Sequence, residues 1–257
     1  MGQPMLAALR AAGLNATGFD IRAPETYPLG AGITNNSAEI PQNTTTLISV
    51  VRDIPQTEDL LFGAQNLIKQ LPNLTYIVIS STLSPRYINT LAPRLPCTMI
   101  DAPTSGAQIA AQQANLSFML GGSKADIEHL MPLLRAMGQH FHHMGDTGTG
   151  MAAKVLNNLL AASNTAMTRL VLDWADAANI DEDKLLTLMH TSSGQNWFAS
   201  GFNSIEFARD GYSTDNTIGI LKKDVESALD AAPSGAETAL PTLIATTIAN
   251  LTPRNNK

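Results

Sequence analysis

The chain lacks the features of a disulfide-stapled, membrane-spanning or secreted protein. Its single cysteine, Cys97, cannot form an internal disulfide, and C-x-x-C patterns for metal or redox centres are absent. No apolar run approaches the roughly 18 residues that cross a membrane. The N-terminus lacks the basic start and long apolar stretch of a signal peptide. We therefore expect a soluble cytoplasmic protein with no membrane partner.

Charged residues are also few, at 15% of the 257 positions, and acidic residues outnumber basic ones by 22 to 16. A net charge of −6 without any Lys/Arg run argues against nucleic acid as a partner, because such binding requires neutralisation of phosphates. Hydrophobic residues make up 44% of the chain, which excludes disorder as its main feature. The composition is typical of a folded protein with a substantial core.

Two patterns divide the chain near residue 147. Before it, short β-branched runs alternate with helical stretches, which predicts parallel strands with helices on both faces. The predicted strands are 16–20, 45–51, 75–80, 98–101 and 116–120, and the predicted helices are 3–12, 57–70, 85–93 and 124–137. After it, helical spacing predicts one long helix to about residue 178 and further helices over 182–191, 196–208, 215–232 and 237–251. We therefore expect an α/β domain over 1–147, then an all-α domain over 148–257 whose connecting helix covers 148–178.

The start of the chain contains part of a nucleotide-binding pattern. A helix opens at Gly2, and an acidic residue, Asp20, ends the next predicted strand. In dinucleotide-binding βαβ units the last glycine of G-x-G-x-x-G opens a helix, and an acid about 20 residues later holds the adenosine ribose. The alternative is an ordinary N-terminal helix followed by a solvated aspartate.

Two later segments contain polar groups that suit the binding of a carboxylate in one case and proton exchange in the other. Ser105 and Gly106 follow the predicted strand that ends at Asp101, and their hydroxyl and N–H groups suit a carboxylate, although an ordinary turn is the alternative. Lys154 and Asn158 lie one helical turn apart after a glycine-rich loop. A lysine beside an apolar stripe either extends to solvent or, when desolvated, has a lowered pKa and exchanges protons near neutral pH.

Two further polar clusters have simpler interpretations. The Lys-Lys-Asp run at 222–224, taken alone, is typical of a solvated helix face. His140, His142 and His143 fall on a strand-like stretch, where adjacent side chains point to opposite faces. We therefore predict no metal site at these histidines.

Taken in order, these segments resemble the β-hydroxyacid dehydrogenase family, which includes 3-hydroxyisobutyrate dehydrogenase and tartronate semialdehyde reductase. The likeness extends over almost the whole chain. It rests on the end of a cofactor fingerprint at 1–5, the end of a second strand at 19–22, the segment after a fourth strand at 50–53, an S-T-x-S-P stretch at 81–85, a substrate motif like D-A-P-x-S-G-G at 101–107, a G-x-G-x-x-x-K-x-x-x-N catalytic motif at 148–158, and a K-D pair at 223–224.

The resemblance implies a Rossmann-type α/β domain and the reversible, NAD- or NADP-dependent oxidation of a small β-hydroxyacid. Lys154 would be the catalytic residue that moves the hydroxyl proton. The substrate would contact Ser105, Gly106, Ala107, Asn158 and Lys223, and the cofactor would contact Gly2, Gln3, Pro4, Met5, Asp20, Arg22, Val51, Arg52, Thr82 and Asp224. Members are usually dimers or tetramers, so a homodimer or homotetramer is expected.

Asp20 and Arg22 lead to opposite expectations about the cofactor. The Asp20 carboxylate can accept hydrogen bonds from both ribose hydroxyls but would repel the 2′-phosphate of NADP, which favours NAD. Arg22, two residues later, offers that phosphate a cation.

The chain departs from the family pattern in several places. The first strand and the first two glycines of the fingerprint are absent, Ala107 and Ala114 replace family glycines, and Ile79 stands where the family often has aspartate. We expect the missing strand to leave its neighbours unpaired, and Met1 not to be the natural start. Two alternatives remain open. One is an imine reductase on the same fold, which Lys154 argues against. The other is a non-catalytic or truncated family member that acts as a binding module, which the truncated fingerprint favours and the Lys154/Asn158 pair argues against.

Overall fold

The computed structural model describes residues 1–28 and 30–255, and the chain divides into two compact units, Met1–Lys154 and Val155–Lys257. Strands and helices alternate over most of the first unit, as predicted. The strands are β1 (Gly18–Phe19), β2 (Ile33–Thr34), β3 (Thr46–Ser49), β4 (Tyr76–Ile79), β5 (Thr98–Asp101), β6 (Thr104–Ser105), β7 (Leu116–Gly121) and β8 (Gly138–Gly145). The helices are α1 (Gly2–Ala11), α2 (Ile54–Leu61), α3 (Leu67–Gln70), α4 (Pro85–Leu91), α5 (Ala107–Gln112) and α6 (Lys124–Arg135).

Six strands form the main sheet, in the order β3-β4-β5-β7-β6, with β8 paired to β7. The predicted parallel pairing is confirmed for β3, β4 and β5, and β8 is also parallel to β7. It is wrong for β7, which runs antiparallel to both β5 and β6. The chain turns back at Gly106 and α5 instead of making a full crossover, and this return reverses β7.

The sheet is interrupted beside β3. The strands β1 and β2 pair in parallel as a separate sheet, and in the described part of the chain β3 pairs with β4 alone. The expectation of unpaired strand edges is therefore confirmed at this point. Phe19 of β1 and Leu47 of β3 nevertheless pack against one cluster that includes Ile40 and Leu60. Apolar packing thus joins the two sheets where main-chain hydrogen bonding does not.

Both faces of the central strand β4 are buried, which explains its continuous apolar sequence. Val78 faces a cluster with Ile100 and Phe118, whereas Ile77 and Ile79 face a second cluster. Alternate side chains of one strand point to opposite faces, so each face has its own core.

The predicted helix over 57–70 is interrupted. The Asp59 side chain accepts the Ala64 N–H at 2.8 Å and the Gln65 Nε2–H at 2.6 Å, which favours a turn after α2. Asn66 then adopts a left-handed conformation with φ 45° before α3 begins. The polar competition of Asp59 with the backbone therefore splits this helix.

Helices are the only regular secondary structure in the described residues of the second unit, as predicted. Its elements are the main part of the 29-residue α7 (Thr149–Ala177), then α8 (Glu182–Thr191), α9 (Trp197–Gly201), α10 (Thr217–Asp230) and α11 (Ala239–Ala249). The predicted helix over 196–208 is confirmed only in α9. After Gly201 the chain continues in turns, in which the Ser204 N–H donates to the Gly201 carbonyl at 2.8 Å and the Ala208 N–H donates to the Ile205 carbonyl at 3.0 Å. Across residues 1–28 and 30–255, none of the helices has the length and apolarity to span a membrane.

Candidate active site

Buried hydroxyl groups cluster at the carboxyl ends of two neighbouring strands. Ser49 ends β3, and Ser80 and Ser81 follow β4, with the Ser80 N–H donating to the Ser49 carbonyl at 2.9 Å. All three hydroxyls are buried and have no hydrogen-bond partner within the described chain. An unpaired buried polar group is costly, so these hydroxyls fit a polar ligand. Open α/β sheets bind ligands at this edge.

The beginning of α1 lies beside the same edge. A Cβ atom on Gly2 would lie 3.8 Å from Cβ of Val50, the residue that follows β3. Gln3 and Pro4 are half-buried in the first turn, whereas Met5 is buried in the core. The N–H groups of a first helical turn lack intrahelical partners and carry partial positive charge, which suits a phosphate.

Asp20 and Arg22, the two opposing cofactor determinants, bond to each other. Asp20 Oδ1 accepts the Arg22 main-chain N–H at 2.9 Å, and Oδ2 accepts the Nη2–H at 3.1 Å. Partial burial raises the pKa of Asp20, but hydrogen bonds from Arg22 and Tyr27 outweigh this and hold it below its usual value. The Arg22 guanidinium also lies 5.0 Å from the centre of the Tyr27 ring and stays largely exposed. The carboxylate and the guanidinium, which favour opposite cofactors, therefore lie side by side just after β1.

The remaining predicted cofactor residues of the first unit lie in loops that follow β3 and β4. Val51 packs against the apolar cluster around Ile40, and the Arg52 N–H donates to Gln56 Oε1 at 3.0 Å. Thr82 is half-buried between β4 and α4. The structure thus brings the predicted fingerprint, 50–53 and 81–85 segments to the carboxyl side of one sheet.

The loop predicted to bind substrate turns sharply at Gly106. Ser105 lies in β6, opposite Ser117 of β7, and Gly106 has φ 127°. A Cβ atom on Gly106 would lie 2.5 Å from Cβ of Ala110, so only glycine fits there. Ala107, which replaces a family glycine, has φ 55° and keeps the left-handed conformation that favours glycine.

Lys154 lies in the second turn of α7 and is only 7% exposed. The beginning of this helix is held by Asp101, the last residue of β5, which is completely buried. Asp101 Oδ1 accepts the Gly148 N–H at 2.7 Å, and Oδ2 accepts the Met151 N–H at 2.6 Å. Burial raises the pKa of Asp101, although these N–H bonds oppose the rise.

From the sequence, Asp101 is the first residue of the predicted substrate motif, and no role is predicted for its side chain. The available signal was an acidic residue that ends a buried strand, because such a group must find partners inside the protein. Its partners, 47 and 50 residues later, were not predictable from the sequence.

In the second unit the structure brings Asn158, Lys223 and Asp224 together. Asn158 Nδ2 donates to Asp224 Oδ2 at 2.5 Å, and both side chains are buried. Lys223 Nζ lies 2.8 Å from Asp224 Oδ1. The solvated-face interpretation is therefore wrong for Asp224, which is 2% exposed. The solvated-face interpretation fits Lys222 better, because this lysine pairs with Glu226 one turn away on α10.

The models of two protein families together match most of the chain. Residues 1–145 match the family described as the NAD binding domain of 6-phosphogluconate dehydrogenase. Residues 148–253 match the family described as NAD-binding of NADP-dependent 3-hydroxyisobutyrate dehydrogenase.

Individual relatives and a solved structure also match most of the chain. The chain is 30% identical to the NAD-dependent L-serine dehydrogenase of Pseudomonas aeruginosa over 249 residues, which cover 92% of this chain and 83% of that protein. It is 28% identical to mitochondrial 3-hydroxyisobutyrate dehydrogenase of Bos taurus over 246 residues, 91% of this chain and 73% of that one. A solved structure of 3-hydroxyisobutyrate dehydrogenase from Mycobacterium tuberculosis with L-serine aligns with a TM-score of 0.77 at 25% identity, covering 98% of this chain and 92% of its own.

Proposed function

The chain belongs to the β-hydroxyacid dehydrogenase family, and from this premise we propose that it oxidises a small β-hydroxyacid reversibly to its semialdehyde or keto acid. The observation that carries the proposal is the buried Lys154 on the anchored first turns of α7. A buried lysine is poised for proton transfer in a way that a solvated one is not.

Lys154 takes the hydroxyl proton of the substrate during oxidation and returns it during reduction. When bound, the nicotinamide supplies the hydride acceptor or donor. The alcohol carbon loses a hydride and the oxygen loses a proton, so the carbonyl product forms without any further reactant. The role of the protein is to hold the carbon and Lys154 in line for this exchange.

The substrate carboxylate is bound by Ser105, Gly106 and Ala107, through one hydroxyl and the N–H groups at the turn. Asn158 orients the reacting end, and Lys223 adds positive charge. Because 3-hydroxyisobutyrate and L-serine differ only in a methyl or an ammonium group beside the same carboxylate and hydroxymethyl, both belong to the substrate class we propose. The names of the relatives support this class.

The residues present fit NAD or NADP. The unpaired hydroxyls of Ser49, Ser80 and Ser81 suit the polar groups of a dinucleotide along the sheet edge, and the first turn of α1 suits its pyrophosphate. The carboxylate of Asp20 supports a preference for NAD, and the bond from Arg22 moderates it.

We also propose that the protein is a homodimer or homotetramer. Four large apolar side chains of α7 are each more than half exposed and recur every four or seven residues on one stripe: Leu156, Leu160, Met167 and Trp174. Such spacing is typical of helices that pack on an equivalent helix. An apolar row of this kind fits a second copy of the chain.

The test of function is a panel assay of the full chain. The purified protein is incubated with 3-hydroxyisobutyrate, L-serine and related β-hydroxyacids, with NAD or NADP, and formation of the reduced cofactor is followed. We expect turnover of at least one β-hydroxyacid. NAD(H) binding without turnover of any of them would contradict the enzymatic function and favour the binding module. In a parallel assay with NADH or NADPH, reduction of cyclic imines without turnover of any β-hydroxyacid would favour an imine reductase.

A further inference from the structure

We infer that Asp101 is a positioning residue that clamps the beginning of α7 and thereby sets the place of Lys154. The inference rests on the proposed role of Lys154 in proton transfer. Asp101 itself lies at the end of β5 and acts through the helix that begins at Thr149.

The clamp consists of charge-assisted hydrogen bonds to main-chain donors. The two carboxylate oxygens take the N–H groups of Gly148 and Met151 separately, at 2.7 and 2.6 Å. The Gly150 N–H also interacts favourably with the ionised carboxylate. The first N–H groups of a helix lack intrahelical partners and form the positive end of its dipole. The buried carboxylate at the end of β5 therefore accepts the N–H groups that a capping side chain next to the helix usually accepts.

Close packing keeps this contact in one geometry. A Cβ atom on Gly150 would lie 2.5 Å from the Met119 carbonyl oxygen and 2.7 Å from the Gly121 nitrogen, so the helix presses directly on β7. Met151 is completely buried, and its Sδ accepts the Leu83 N–H at 3.3 Å. The first turn of α7 is thus held by β5, β7 and the loop after β4.

Lys154 is three residues beyond Met151, a rise of about 4.5 Å along the axis. A helix transmits displacement of its first turn to the next because its main-chain hydrogen bonds are cooperative. In a reaction that depends on orientation, a misplacement of about 1 Å can cost roughly 10²-fold in rate. The carboxylate of Asp101 consequently influences the rate without contacting the substrate.

Asp101→Asn tests the clamp with little change of shape. An amide has one oxygen, so its Nδ2 group would face a main-chain N–H donor and one of the two bonds would be lost. We expect kcat to fall by about 10²-fold while the Kd for NAD(H) stays within about twofold, as for a misplaced catalytic group. Acetic anhydride should label Lys154 faster in the variant, and hydrogen exchange should accelerate over 148–154.

The matched control is Asp126→Asn. Asp126 is an acidic residue of the same unit that accepts the Tyr76 hydroxyl at 2.9 Å, but it lies at the beginning of α6. We expect it to leave kcat, the labelling of Lys154 and exchange over 148–154 unchanged. Effects of equal size in both variants would overturn the inference, since they would indicate only a general loss of rigidity.

Two readouts separate the clamp from the proposed function. Labelling and exchange need no turnover, so a chain inactive on every hydroxyacid would refute the function, while faster Lys154 labelling in Asp101→Asn would still support the clamp. Unchanged kcat and unchanged labelling in that variant would overturn it. If the variant does not fold, amide hydrogen exchange in the wild-type protein tests the clamp instead. We expect exchange at Gly148 and Met151 to be at least about tenfold slower than at Thr147. Equal exchange rates at the three amides would overturn the clamp.

Discussion

Asn158 Nδ2 donates a 2.5 Å hydrogen bond to Asp224 Oδ2, and this bond joins α7 to α10 inside the second unit. The carboxylate of Asp224 is buried and also pairs with Lys223 through its other oxygen. The three residues therefore form one polar group, in which a change at any member alters the charge balance of the others.

We expect Asn158→Ala to raise KM for the hydroxyacid and to lower the free energy of unfolding by about 1–3 kcal/mol, because one oxygen of a buried carboxylate loses its donor. Steady-state kinetics and urea unfolding measure the two effects. The control is Asn164→Ala, which removes a half-buried amide from the same helix, two turns away. Unchanged KM and kcat together would exclude Asn158 from substrate binding.

Lys154→Met should reduce turnover by about 10²–10⁴-fold and leave NAD(H) affinity nearly intact, since it removes the group that moves the proton. Cofactor affinity is measured by fluorescence titration. Lys222→Met is a suitable control, because that side chain pairs with Glu226 on the outer part of α10. More than half of the wild-type kcat/KM in Lys154→Met would remove Lys154 from the mechanism.

Arg22→Ala should lower kcat/KM with NADP by about tenfold and change the value with NAD much less, because a charge-assisted bond to the 2′-phosphate is lost. Asp20→Ala should act mainly on NAD. The measurement is kcat/KM for both cofactors in each variant. A chain that prefers NADP, and keeps this preference after Arg22→Ala, would show that neither residue controls the choice.

Ala114→Gly should stabilise the protein by about 1 kcal/mol, because alanine is strained where φ is positive. Ala114 has φ 51°, and Ala107 has φ 55° and an exposed side chain, so Ala107→Gly should act in the same direction. Ala125→Gly is the control with the opposite sign, since this exposed residue lies within α6. Urea midpoints that fall in all three variants would contradict the strain.

Leu160→Glu should convert the proposed oligomer into a monomer, because a charge in the middle of the apolar row of α7 would be buried without a partner. Sedimentation velocity gives the mass of each species. Leu188→Glu alters an equally exposed leucine on α8, outside that row, and should leave the mass unchanged. A wild-type chain that sediments as a monomer at every concentration would refute the oligomer directly.

Local patterns in the sequence were sufficient to predict most of the strands and helices and to identify the family. The strand over 98–101 and the helix over 182–191 match their predicted limits, because each depends on neighbouring residues. The strand is a four-residue run around the buried apolar pair Met99 and Ile100, and in the helix the side chain of Asp181 caps the Lys184 N–H at 3.0 Å. The order of motifs identified the chemistry in the same way, since each motif is a few residues long.

Partners distant in the chain became known only from the folded molecule. The bonds of Asp101 to Gly148 and Met151, and that of Asn158 to Asp224, close separations of 47, 50 and 66 residues. No periodicity or capping signal extends that far, because such contacts form when the packing of whole strands and helices encloses particular polar groups and leaves them one available partner. The same packing reversed β7 against β5, although the alternation of strands and helices had favoured a parallel pair.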